Sequence, residues 1–212
     1  MKNVMRLIIL MLFAPLAFGA WKEGVNYERL SAPQPTDNPD RIEVRELFWY
    51  GCPHCYQLEP ELHAWLEKKP DDVEFVRMPA VLGPNWELLA RAYYTAEVLG
   101  VVDKVHGAIF DRLHKDRKRI RTPADVKAIF TKNGVLESDF DNAFASFAVV
   151  TKTNRAKRVR ELYGATGVPT LIINGKYRTS ATMAGGNRQL LEVVDYLVEQ
   201  ERKAAGGNAA GK

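Results

Sequence analysis

The chain has 212 residues and a formal net charge of +4, and 46% of its residues are hydrophobic against 26% charged, as in ordinary globular proteins. A chain of this length buries enough surface to hold a core without a disulfide or metal staple. Its two cysteines exclude a disulfide-built scaffold and a zinc site made mainly of thiolates. The slight basic excess gives no argument for nucleic-acid binding.

Residues 1–19 have the pattern of a secretory signal peptide. Lys2 and Arg6 give a charged start, an apolar run follows, and Ala17-Phe18-Gly19 fits a small-x-small cleavage site. A transmembrane anchor is the alternative, but the apolar run is shorter than the roughly 20 residues that a bilayer requires. We therefore expect an exported protein that begins near Ala20.

Both cysteines lie in one tetrapeptide, Cys52-Pro53-His54-Cys55, so they can form a disulfide with each other in an oxidising compartment. A structural role is poorly supported, because closing so short a loop restricts the unfolded chain little. A metal site would need two more ligands from four histidines, and covalent haem would need histidine where the chain has Tyr56. We favour a redox-active pair that needs no cofactor beyond its own disulfide, with metal binding as the alternative.

The flanking sequence places the cysteines between a strand and a helix. Residues 42–49 begin with alternating apolar and polar side chains and end in an apolar run, which predicts a strand. Gly51 ends this strand. Pro53 suits the first position of a helix, and apolar residues at helical spacing continue over 54–67. Cys52 is therefore expected at the N-terminus of this helix.

The two cysteines are expected to differ in chemistry. Free amides and the helix dipole favour a thiolate at Cys52, and His54 can add positive charge or a hydrogen bond. Cys55 lies one turn further into the helix and is expected to be buried. The residues therefore predict Cys52 as the nucleophile and Cys55 as its buried partner.

The segment from Glu46 to Tyr56, with Pro-His between the cysteines, resembles the active site of the DsbA family, periplasmic thiol:disulfide oxidases of bacteria. A second similar segment is Gly167-Val168-Pro169-Thr170, followed by residues 171–177. The resemblance covers about residues 24–202. It implies an α/β thioredoxin fold with an inserted all-helical domain.

The resemblance also implies that a cis Val168–Pro169 bond faces the cysteines, whereas the residues alone favour the commoner trans form. We expect Pro53, Val168 and Pro169 to bind substrate, with the Val168 backbone pairing with an extended peptide by strand addition. From the residues themselves, Asn174-Gly175 predicts a type I′ hairpin turn after the strand that follows Pro169.

Glu46 lies inside a strand that is otherwise predicted to be buried, at a place where the family carries an acidic residue near the buried cysteine. Residues 73–78 predict the next strand and include Arg77. We predict that Glu46 pairs with Arg77 and helps to move protons to and from Cys55. An exposed edge position for Glu46 is the alternative.

The predicted domain order is a thioredoxin-like first part at 20–84, a helical insertion at 85–160 and a second thioredoxin-like part at 161–203. Apolar spacing predicts helices at 85–99, 102–114, 123–132, 137–148 and 152–163, and a long final helix from Asn187. The Ala- and Gly-rich tail at 204–212 is predicted to be disordered. Two basic stretches, 114–121 and 152–160, are interpreted as solvated surface.

The resemblance implies a periplasmic oxidase that donates its Cys52–Cys55 disulfide, through a mixed disulfide, to newly exported proteins with free cysteines. It also implies reoxidation by a DsbB-type membrane partner. The alternatives are a disulfide isomerase or reductase of the same fold and a non-catalytic peptide-binding module. Periplasmic isomerases and reductases usually carry a dimerisation domain, for which the chain has no length left. We expect a monomer and no nucleic-acid or metal partner.

Overall fold

The computed structural model describes residues 21–209, so the predicted signal peptide at 1–19 and the last tail residues, 210–212, lie outside the described residues. The elements in chain order are β1 (Glu28–Arg29), β2 (Ile42–Phe48), α1 (Pro53–Leu66), β3 (Val73–Pro79), α2 (Glu87–Val98), α3 (Val102–His114), α4 (Pro123–Lys132), α5 (Glu137–Phe144), α6 (Phe147–Ala156), α7 (Val159–Tyr163), β4 (Thr170–Ile173), β5 (Tyr177–Ser180), α8 (Ala181–Ala184) and α9 (Asn187–Ala209).

The five strands form one mixed sheet in the order β1-β5-β4-β2-β3. β2 is central, since it pairs in parallel with β3 and antiparallel with β4, and its residues from Glu43 to Phe48 are all buried. The predictions of strands at 42–49 and 73–78 are confirmed within one residue. The two-residue strand β1 is too short for any periodicity to indicate it.

Apolar cores lie on both faces of the sheet, because successive strand residues point to opposite faces. On one face α1 and α9 pack against Val44, Leu171 and Ile173. On the other, Leu47 and Ile172 belong to a core shared with helices α2 to α7, which lie between β3 and β4. The predicted α/β sheet interrupted by a helical insertion is therefore what the chain forms.

The insertion has one more helix than the sequence predicts. The predicted helices at 137–148 and 152–163 are wrong in their bounds, because the chain forms α5, α6 and α7 there. The hydroxyl of Ser146 accepts a hydrogen bond from the Val149 amide and caps the N-terminus of α6. Apolar residues continue at helical spacing across this break, so the periodicity hides it.

The final helix extends beyond its predicted end. The disordered tail predicted at 204–212 is wrong as far as Ala209, because α9 continues to that residue. Buried Glu201 accepts hydrogen bonds from Asn174 and Lys176, and Arg202 pairs with Asp72, so α9 is fixed at these two residues to the loops next to β4 and β3. Nowhere between residues 21 and 209 does a helix combine the length and the apolar character needed to cross a membrane.

The turn between β4 and β5 is the predicted hairpin. Asn174 and Gly175 have φ angles of 49° and 62°, the positive values that a type I′ turn requires at both central positions. A Cβ atom on Gly175 would overlap the backbone carbonyl of Gln34. This position therefore needs glycine for its conformation and for space.

Replacing Gly175 with alanine is expected to lower the free energy of unfolding by about 2 kcal/mol, because a left-handed alanine is strained and its Cβ meets backbone. Denaturant unfolding of the reduced protein measures the change. The matched control is Gly107→Ala inside α3, where nothing lies within 4 Å of the added Cβ and alanine favours a helix by about 0.5 kcal/mol. Equal stability of the two variants would contradict the assignment.

Candidate active site

The two cysteines lie at the start of α1, at the C-terminal end of the central strand. Cys52 precedes the first helical residue with an extended backbone (φ −89°, ψ 117°), so its sulfur is next to the free amides of the first turn. When protonated, the Cys52 Sγ donates a hydrogen bond to the Val168 carbonyl at 3.4 Å. Cys55 is fully buried one turn further in, and both residues are free thiols.

The environments of the two thiols shift their pKa values in opposite directions. The hydrogen bond from the Cys55 side chain, helped by the amides of Cys55 and His54 and by the charge of His54, lowers the pKa of Cys52 to about 6 despite burial. Burial, the hydrogen bond to Cys52 and the charge of Glu46 raise the pKa of Cys55. At neutral pH the site therefore holds one thiolate and one thiol.

A groove of about 440 Å³ runs beside Cys52 along the loop before β4. His54, Val168 and Pro169 line it, and the Val168–Pro169 bond is cis, as the resemblance implies. Pro53 is exposed on the first turn of α1 and is not among the residues that line the groove. The structure thus brings two of the three predicted substrate-binding residues together in one groove and leaves Pro53 outside it.

Glu46 pairs with Arg77 as predicted, and the alternative of an exposed edge position is wrong. The Glu46 side chain is fully buried, and its Oε2 accepts a hydrogen bond from the Arg77 Nε at 3.2 Å. Its Oε1 has no hydrogen-bond partner within residues 21–209. Burial, with a smaller contribution from the charge of Glu59, raises the pKa of Glu46 to about 7, although Arg77 opposes the shift.

Sequence reasoning missed the residues that continue this charged pair. Arg77 also donates from Nη2 to both oxygens of Glu59, at 3.2 and 3.4 Å, and Glu59 in turn contacts His106. Glu59 follows Cys55 by four residues on α1, so helical spacing could have placed it on the same face. No local pattern connects His106 with this site, because α3 is distant in the sequence.

Metal binding and the basic stretches are the remaining features of the sequence. Within residues 21–209, no group of three or more His, Cys, Asp or Glu side chains could hold a metal ion. In the first basic stretch, residues 115–119 are exposed after the end of α3, as expected of solvated surface.

Comparisons with known proteins agree with this geometry. Residues 43–198 match the family model of the DSBA-like thioredoxin domain. The chain belongs to the DsbA-like thioredoxin family. It is 44% identical to the thiol:disulfide interchange protein DsbA of Pseudomonas aeruginosa over 182 residues, 86% of each chain. It is 45% identical to the DsbA of Azotobacter vinelandii over 183 residues, also 86% of each chain.

Solved DsbA structures have the same fold. The crystal structure of Pseudomonas aeruginosa DsbA superimposes with a TM-score of 0.82 at 44% identity, covering 86% of this chain and 95% of that one. The DsbA of Xylella fastidiosa gives a TM-score of 0.80 at 30% identity, covering 86% and 98%. The resemblance and the thioredoxin fold with its helical insertion are confirmed. Like its DsbA relatives, the chain is a thiol:disulfide oxidoreductase.

Removing the Cys55 side chain should raise the pKa of Cys52 from about 6 toward its ordinary value of 9.0, because Cys52 loses its strongest hydrogen bond. His54→Ala should raise it less, because that change removes only a charge and keeps the backbone amide. The pH dependence of thiolate absorbance in Cys55→Ala and in reduced His54→Ala measures both shifts. A larger effect of the histidine change would contradict this order.

Proposed function

We propose that this DsbA-family chain works as an oxidase, which donates the Cys52–Cys55 disulfide to exported proteins with free cysteines. The observation that carries the proposal is the position of Cys52 at the N-terminus of α1 beside the buried Cys55, a placement that lowers the pKa of Cys52. A stabilised thiolate favours the reduced form, and a protein that is more stable when reduced passes its disulfide on.

Transfer proceeds in two exchange steps. A substrate thiolate attacks the Cys52 Sγ, the Cys52–Cys55 bond breaks, and its electron pair goes to the Cys55 sulfur, which takes up a proton. The second substrate thiolate then attacks the substrate sulfur of the mixed disulfide and releases Cys52 as a thiolate. The substrate loses two electrons and gains a disulfide, while the protein gains a thiol and a thiolate.

Glu46 is proposed as the group that exchanges the Cys55 proton. With a pKa of about 7, the carboxyl can both donate and accept a proton near neutral pH. Its charge also acts on Cys55 and raises the pKa of that thiol. A proton on Glu46 therefore lowers the barrier to the departure of Cys55 as an anion.

The groove beside Cys52 is proposed to hold the substrate polypeptide. The Val168 carbonyl oxygen lies 3.4 Å from the Cys52 Sγ, so the backbone of this loop lies next to the attacked sulfur. An extended peptide that pairs with Val168 would bring its own cysteine to Cys52. Pro169 and the exposed ring of Pro53 are proposed to complete this contact surface.

We further propose that the chain acts in the periplasm and that a DsbB-type membrane protein reoxidises it. The signal-like pattern at 1–19 supports export. Its relatives are named thiol:disulfide interchange proteins, and repeated interchange requires a partner that removes the electrons taken from each substrate.

The oxidase proposal predicts that the reduced protein has the greater free energy of unfolding. The Cys52 pKa falls from an ordinary 9.0 to about 6 on folding. The Cys52 thiolate therefore stabilises the folded reduced protein fully above about pH 9, and this stabilisation is lost as the pH falls to 6. The stability advantage of the reduced form should therefore grow from pH 6 to pH 9. Denaturant unfolding of both redox forms across this range measures it.

Equilibration of the same protein with a glutathione buffer provides the second measurement. We expect a potential well above that of thioredoxin, which is about −270 mV. A potential near that value, together with a more stable disulfide form, would instead assign the chain to the reductases.

Glu46→Gln should abolish the inflection near pH 7 in the rate at which a dithiol peptide reduces the Cys52–Cys55 disulfide, because glutamine has no proton to exchange. Stopped-flow kinetics from pH 5.5 to 8.5 measure the profile. Glu43→Gln is the matched control, since Glu43 is a buried, ion-paired carboxylate on the opposite face of the same strand. An unchanged profile in Glu46→Gln would remove Glu46 from proton exchange.

A further inference from the structure

A buried histidine of the insertion lies against the carboxylates behind the cysteines. His106 on α3 is 5% exposed and touches two polar groups of the thioredoxin part. Its Nε2 is 3.3 Å from the Glu59 Oε1, and its Nδ1 is 2.9 Å from the Tyr50 hydroxyl. Both ring nitrogens therefore have a partner on the active-site side of the molecule.

The two partners determine how the ring is protonated. Burial lowers the pKa of His106, so the imidazole is neutral at neutral pH and has one donor and one acceptor nitrogen. An ionised Glu59 can only accept, so the Nε2–H donates to Glu59. The Nδ1 then accepts the hydroxyl proton of Tyr50, and every polar atom of the ring is satisfied.

Glu59 and Glu46 share one cation. Arg77 donates from Nη2 to Glu59 and from Nε to Glu46, so each carboxylate competes with the other for the same positive charge. Burial would raise the pKa of Glu59, but the hydrogen bond from His106 and the charge of Arg77 outweigh it and lower that pKa. The anion at Glu59 in turn contributes to the raised pKa of Glu46.

We propose that His106 is a positioning residue for the redox reaction. Its Nε2–H holds Glu59 as an anion, and this anion keeps the charge of Arg77 divided between two carboxylates, which leaves Glu46 able to titrate near neutral pH. The inference deepens the proposed function, because the meaning of the Glu46 titration rests on proton exchange with Cys55. It assigns part of the proton chemistry to the helical insertion.

The other groups around His106 do not replace this contact. His63 also approaches Glu59, at 3.4 Å, but its side chain is 65% exposed, so solvent screens its charge. The titratable or charged groups facing the imidazole are Tyr50 before α1, Glu59 and His63 on α1, Arg77 on β3 and Tyr93 on α2. Among them only Glu59 accepts a hydrogen bond from the ring.

Removing the donor tests the proposal. In His106→Leu, Glu59 loses a hydrogen bond in a buried place and its pKa rises. A higher Glu59 pKa makes Glu59 less anionic while Glu46 titrates, so Arg77 acts more strongly on Glu46 and the titration midpoint of Glu46 should fall from near pH 7, by up to about one pH unit. The carboxyl carbon NMR signal of Glu46, in glutamate-labelled oxidised protein and assigned with Glu46→Gln, measures the midpoint.

Conservative variants separate this effect from packing. His106→Gln places an amide N–H near the position of Nε2 and should restore the midpoint, although it loses ring volume as leucine does. His63→Gln is the matched control, because it removes the exposed imidazole from the same carboxylate and should leave the midpoint in place. If His106→Leu does not fold, the Glu46 midpoint is compared between His106→Gln, where it should stay in place, and Glu59→Gln, where it should fall.

A double-mutant cycle shows whether His106 acts through Glu59. Glu59→Gln mimics the neutral acid and should lower the Glu46 midpoint, and His106→Leu added to it should lower it no further. An unchanged midpoint in His106→Leu, or full additivity in the double variant, would overturn the proposal. These titrations use no substrate, so their failure is distinct from a failure of the oxidase proposal, which the glutathione equilibrium decides.

Discussion

The position of one sulfur at the start of a helix that packs on the sheet is the constraint on which the rest of the site depends. Cys52 meets the free amides of α1 and lies against the Val168 carbonyl, while Cys55 is enclosed one turn later. The two thiols thereby differ in acidity, and the difference gives the disulfide a direction of transfer. The central, buried strand β2 ends shortly before Cys52 and so fixes where α1 begins.

Burying a carboxylate costs free energy of folding, and the position of Glu46 next to the cysteines indicates that it has a chemical role. An apolar side chain would fill the same place in β2 without an unpartnered oxygen. Arg77 compensates only in part, because Glu59 competes for its charge. Full compensation would hold Glu46 permanently ionised, whereas shared compensation leaves its pKa at about 7. The incomplete pairing is therefore consistent with a group that exchanges protons.

Much of this architecture can be predicted from local sequence, but little of the charged network can. The cysteine pair, its strand and helix, and the Asn174-Gly175 turn follow from short-range rules of periodicity, capping and backbone conformation. The cis bond before Pro169 required the family resemblance, since the residues alone favour trans. The break at Ser146 was hidden because apolar spacing continues through it. The contact of His106 with Glu59 could not be predicted, because it forms only when α3 packs on α1.

With the role proposed for His106, the insertion takes part in the site's chemistry as well as covering the sheet. His106, Phe110 and His114 follow one another at four-residue spacing on one face of α3. This face holds Tyr50 at three points: the hydroxyl by His106, the ring by Phe110, and the carbonyl by the Nε2–H of His114 at 2.7 Å. Since Tyr50 is two residues before Cys52, a shift of α3 would move the loop that aims the sulfur and would alter the hydrogen bond to Glu59. The packing of one helix thus links the placement of the nucleophile to the protonation of the group behind it.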